Sequence, residues 1–140
     1  MRLLTILLLL TLQLSVFSQV NLNNNTVTID AQGVIYNKYG QRVNVTTINS
    51  ATYQTLGTEQ ILHVTRTSTG ACTITLDTDD LDVGKVIIIK DAGGLAGSEN
   101  NNITIETEGA ETIDGANTQT ISVNYGSIQL YSNGSNWFIY

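Results

Sequence analysis

The sequence has no proline, one cysteine (Cys72) and one histidine (His63). A single thiol cannot close an intrachain disulfide, and a single imidazole deprives most metal sites and catalytic triads of their usual parts. Positive charge is also scarce: six Lys and Arg stand against twelve Asp and Glu, a net charge of −6 at pH 7. That balance cannot neutralise a run of phosphates, which argues against nucleic acid or an anionic membrane as partner. Charged residues make up only 13% of the chain and hydrophobic ones 41%, which excludes a solvated disordered chain. No segment carries a 3.6-residue apolar period of any length, so helices beyond a turn are not expected. What is abundant is Thr, which suits strands, and Asn and Gly, which suit tight turns. A chain of 140 residues has room for one all-β domain with a short appendage, and no cofactor is implied.

The longest apolar run, Leu3 to Leu12, follows Met1-Arg2 and leads into Val16-Phe17-Ser18-Gln19. A positive charge, an apolar stretch, then Val16 and Ser18 at the −3 and −1 positions read as a secretory signal peptide over residues 1–18, cleaved between Ser18 and Gln19. The run is short of the roughly 20 residues that span a bilayer, so no stable membrane insertion is expected after cleavage; an uncleaved anchor is the alternative. The mature chain is therefore expected outside the cell, stabilised without disulfides by a good core, by burial between subunits, or by both. Cys72 alternates with Ile74 and Leu76 and reads as a buried small hydrophobe.

Residues 19–26 are Asn-rich and read as a polar linker, with a single domain over residues 27–140. Short β-type runs recur there every 8–12 residues or so, split by Gly and Asn, which predicts an antiparallel β-sandwich, jelly-roll-like. Val86-Ile87-Ile88-Ile89 is continuously apolar, so its strand is expected to be buried on both faces, against a second sheet or a neighbouring subunit. Asp114-Gly115 and Asn133-Gly134 are turn dipeptides, the second inside the hairpin that joins the last two strands.

Four features could carry chemistry. Asp77, Asp79, Asp80 and Asp82 could offer oxygens to a hard cation, but they lack the Gly and distal Glu of an EF-hand, and a solvated acidic loop is the better reading. Asp91-Ala92-Gly93-Gly94 invites a phosphate-loop reading, yet no Lys and helix follow, so a wide inter-strand loop is expected. His63 lies opposite in phase to Leu62 and Val64 and could be a pH-sensitive or metal-binding group on an axis where symmetry copies meet, but a histidine hydrogen-bonded at a strand surface is the better reading. Among the late aromatics, Tyr125, Tyr131, Trp137 and Tyr140 could form a stacking platform for sugars, although the favoured place for Trp137 and Phe138 is the core or an inter-subunit seam. Nothing selects a carboxylate pair, and no Gly-x-Ser-x-Gly elbow occurs, so an enzyme is not expected.

Two stretches have a familiar order. Leu62 to Leu76 precedes Gly84-Lys85-Val86-Ile87-Ile88-Ile89-Lys90-Asp91-Ala92-Gly93-Gly94, and Asn102-Ile103-Thr104-Ile105, Ile113-Asp114-Gly115 and Tyr125 to Trp137 follow. From about Ala51 to Tyr140 this resembles a small β domain at the C-terminal ends of bacteriophage tail-fibre and virion-fibre proteins. In that family Ile-Asp-Gly and the terminal Asn-Gly-x-Asn-Trp are turn signatures, here Ile113–Gly115 and Asn133–Trp137. The resemblance implies a homotrimeric tip that attaches to a host-surface receptor or glycan. The leader, and the lack of a shaft ahead of the domain, point to a secreted relative or a virion protein routed through a membrane. The expected function is a non-catalytic attachment module on a cell or virion surface. The alternatives are a structural trimerisation cap or filament subunit without a ligand and, behind these, a secreted glycan-active enzyme.

Overall fold

The computed structural model describes residues 20–22, 25–29, 35–37, 43–98 and 100–140. The leader and its cleavage site at Ser18 and Gln19 lie outside the described residues. Strands β1 (Val20–Leu22), β2 (Asn25–Ile29) and β3 (Ile35–Asn37) pair antiparallel in a sheet of their own, in a compact unit that ends at Arg42. The polar stretch read as a linker therefore contains β1 and the start of β2.

The second unit, Val43–Tyr140, carries nine strands: β4 (Val45–Ile48), β5 (Thr52–Gln54), β6 (Ile61–Val64), β7 (Cys72–Leu76), β8 (Val86–Asp91), β9 (Ile103–Thr107), β10 (Thr118–Ile121), β11 (Ser127–Ser132) and β12 (Trp137–Ile139). A single 3-10 turn, η1 (Thr78–Asp80), breaks the run, and no described residue is α-helical. The strands form two mixed sheets, neither of them a closed barrel. A five-stranded sheet has the order β12-β11-β8-β6-β4, and a four-stranded sheet the order β10-β9-β7-β5.

The chain alternates between these sheets. β4, β6 and β8 stack parallel in the first, while β5, β7 and β9 stack parallel in the second. After β9 the direction reverses: β10 lies antiparallel on β9, β11 on β8, and β12 on β11. The expected all-antiparallel pairing is thus corrected to three parallel rungs closed by a reversed one. A parallel neighbour requires a crossover, and each strand of the opposite sheet supplies it.

Alternation then fills one core. Cys72, Ile74 and Leu76 point inward at 1% exposure or less, as do Leu62, Ile87, Ile89, Ile105 and Leu130, all in a single cluster with Trp137. The outward residues differ sharply between the sheets. On the four-stranded sheet, Thr52, Thr73, Thr104 and Thr120 stand in one row, and Gln54, Thr75, Glu106 and Thr118 in the next. Thr75 Oγ1 donates to Glu106 Oε1 at 3.2 Å, and this polar face is what a solvated sheet needs.

Candidate functional site

The five-stranded sheet presents a different outer face. One row runs Val45, Ile61, Ile88, Gln129; a second runs Val86, Tyr131, Phe138; a third runs Thr47, His63, Lys90, Ser127. Tyr140, two residues after Phe138, shares the side. No carboxylate side chain stands in these rows, although acids outnumber bases twofold in the chain. Val45 is 51% exposed, and Ile61, Val86, Ile88 and Phe138 are half-buried. The apolar run of β8 is therefore not sealed on both sides: Ile87 and Ile89 are fully buried, while Val86 and Ile88 face out.

At one end of this face the aromatics meet. Tyr131 stacks on Phe138 with centroids 5.4 Å apart and meets the edge of Tyr140 at 5.7 Å. Tyr140 remains 64% exposed. Of the four expected platform residues, only Tyr131 and Tyr140 are brought together. Trp137 is corrected out of the set: at 1% exposure it faces the core, because neighbours on a strand point to opposite faces. Phe138 takes its place, and its spacing of two from Tyr140 was the available signal. Tyr125 sits apart, in the β10–β11 turn, with its ring over Gly94.

The acidic loop is dispersed. Asp77 caps η1, accepting the Asp79 N–H at 2.8 Å, and also takes Gln54 Nε2 at 3.0 Å. Asp79 and Asp82 are exposed, and Asp80 turns inward to 2% exposure. Among the described residues no three His, Cys, Asp or Glu side chains converge closely enough to hold a metal ion. Asp77 therefore shapes the turn as its capping residue, while Asp79 and Asp80 lie within η1 and Asp82 just beyond it.

Buried acids elsewhere organise loops, and sequence patterning did not find them. Glu59, 1% exposed, accepts Tyr53 Oη at 2.5 Å, the Leu56 N–H at 3.0 Å and the Thr58 N–H at 3.0 Å. Burial pushes its carboxyl up, but these hydrogen bonds outweigh burial and hold it below the ordinary 4.5. Tyr53 responds in the opposite sense: burial, the bond to Glu59 and the charges of Glu59 and Asp80 push its phenol from 10.0 up to about 12. Asp80 pairs with Lys85 at 3.7 Å, and Lys85 also donates to the Gly57 carbonyl.

These shifts fix two pH limits. The ionised Glu59 contributes stability above 4.5, which is lost as pH falls through its lower folded value. The neutral Tyr53 contributes fully below 10 and loses that contribution as pH rises toward about 12. Tyr53→Phe is expected to flatten the alkaline limb of the wild-type profile, read as the urea midpoint against pH. An unchanged alkaline limb would show that Tyr53 does not couple to folding.

Cys72 is buried and free, and burial pushes its thiol up from the ordinary value, the state of an inert core residue. It lines a small cavity with Arg66, Asp91 and Asn101. Arg66 donates there to the Gly70 and Ala71 carbonyls. No protein-family model matches the chain, and no curated protein matches it significantly.

Proposed function

We propose that this is a non-catalytic extracellular attachment module, resembling a phage fibre tip, that works as a homotrimer and binds a cell-surface glycan or receptor. One observation carries the reading: the two sheets have unlike outer faces, one built of Thr, Gln and Glu, the other carrying rows of Val, Ile and aromatics beside the polar row of Thr47, His63, Lys90 and Ser127, with no carboxylate. A large apolar patch on a single copy marks an interaction surface. Three copies packed through this face would bury the remaining exposed surface of Val45, Ile61, Val86 and Ile88. Since the last three are already half-buried, each adds only part of the about 1.5–3 kcal/mol that a fully exposed large apolar side chain contributes on burial. The reading also meets the need for stability outside the cell without a disulfide. The aromatic cluster of Tyr131, Phe138 and Tyr140 lies at the margin of the seam, where its exposed edge is available to a ligand.

Light scattering on a sizing column, with the chain beginning at Gln19, tests the assembly. The expected mass is that of a closed trimer, and a well-folded monomer would sink it. Ile88→Asp is expected to give a folded monomer with an unchanged circular dichroism spectrum, because Ile88 faces outward. Attachment is tested separately, by binding of labelled trimer to bacterial cells before and after periodate oxidation of their glycans. Loss of binding on oxidation is the expected result. A trimer that binds neither cells nor purified polysaccharide would instead be a trimerisation cap.

A further inference from the structure

Tyr125 has a left-handed backbone, φ 59°, which a bulky residue adopts at a cost that Gly or Asn would avoid. Burial does not compensate, since the residue is 64% exposed. The conformation is nonetheless held from both sides. The Tyr125 N–H donates to Asp91 Oδ2 at 3.0 Å, and Lys90 Nζ donates to the Tyr125 carbonyl. Beneath the ring lies Gly94, where a Cβ would come within 2.3 Å of Tyr125 Cζ. Asn124 is pinned alongside, its Oδ1 accepting the Gly97 N–H at 2.7 Å. Val123, 67% exposed, extends the apolar surface.

Local strain that the surroundings over-determine, at an exposed aromatic, is a mark of a working site. We infer that Tyr125 is a sugar-stacking residue, presenting its ring to a pyranose unit of the glycan to which the module attaches. The inference rests on the attachment reading and names the contact. A pyranose offers an apolar C–H face to the ring and hydroxyls at its rim. The Lys90 ammonium, with two N–H groups beyond the one given to the Tyr125 carbonyl, can donate to those hydroxyls.

Affinity electrophoresis of the mature chain in gels containing laminarin, dextran, alginate or chondroitin sulfate tests it, beside thermal melts. Wild type is expected to be retarded by at least one polysaccharide. Tyr125→Gly should bind it about tenfold more weakly while melting at the same or a higher temperature, and Tyr125→Phe should bind nearly as wild type. If Tyr125→Gly binds as wild type, this inference falls and attachment stands with its site elsewhere. A marked fall in the Tyr125→Gly melting temperature would make the ring a structural cover and overturn it. Wild type retarded by none of the four would overturn the inference and, with it, the glycan branch of the attachment reading.

Discussion

Asp91→Ala is expected to leave the domain unfolded or nearly so at room temperature. Asp91 closes β8 at 3% exposure, and its two oxygens accept three backbone N–H groups. Oδ1 takes Gly94 at 3.0 Å; Oδ2 takes Ala96 and Tyr125, each at 3.0 Å. One carboxylate thus ties the 92–96 loop to the β10–β11 turn. A hydrogen bond to a charged group contributes about 1.5–3 kcal/mol, so the loss of three approaches the 5–15 kcal/mol by which small domains are stable. Alanine also leaves three donors without acceptors, which adds a desolvation cost. Asp91→Asn separates charge from shape: its amide oxygen can still accept, but its NH2 faces a donor, so an intermediate loss is expected. Urea denaturation followed by circular dichroism reads both. A midpoint for Asp91→Ala equal to wild type would show that the loop is held by other means.

The role of Asp91 marks the boundary of what local patterning can tell. Alternation found β7 to the residue, because inward Cys72, Ile74 and Leu76 differ in kind from outward Thr73 and Thr75. The turn at Asn133-Gly134 was legible for a similar reason: Gly134 has φ 91°, and Asn133 Oδ1 accepts the N–H groups of Ser135 and Asn136. Strand direction was not legible. A period of two is the same in parallel and antiparallel sheets, and the three residues between Ile48 and Thr52 look like a hairpin loop. Instead they carry the chain across to the other sheet. Buried acids were invisible for a different reason: composition assigns Asp and Glu to solvent unless their partners are known, and the partners of Glu59 and Asp91 are backbone N–H groups and, for Glu59, the Tyr53 hydroxyl.

The platform shows the same limit. Period two separated Trp137 from Phe138 but did not label either face as inner. Only the pairing of β12 with β11, and of β11 with β8, settles it, by placing Ser132 and Trp137 in one inward row and Val86, Tyr131 and Phe138 in one outward row. The asymmetry that carries the proposed function is thus a property of register, which no single strand contains.

That assignment makes a paired prediction at adjacent residues. Trp137→Ala is expected to cost about 3–5 kcal/mol, because it empties a large site that the core cannot refill. Trp137 is 1% exposed, and its backbone is clamped on the sheet's outer edge: its N–H donates to the Thr112 carbonyl at 2.9 Å, and its own carbonyl accepts the Asp114 N–H at 3.0 Å. Alanine keeps both backbone bonds, so the expected loss is that of the indole's packing alone. Phe138→Ala removes a half-buried ring on the outer face, stacked on Tyr131. In an isolated subunit it is expected to cost well under half as much. In an assembly that buries this face, its melting temperature should fall with dilution, because subunit burial is linked to concentration. The sole tryptophan supplies its own control, since a core indole emits at short wavelength until unfolding. Equal losses for the two alanine variants, or long-wavelength emission from the folded wild type, would mean that β12 faces the other way. The apolar seam would then have to be sought on a different surface.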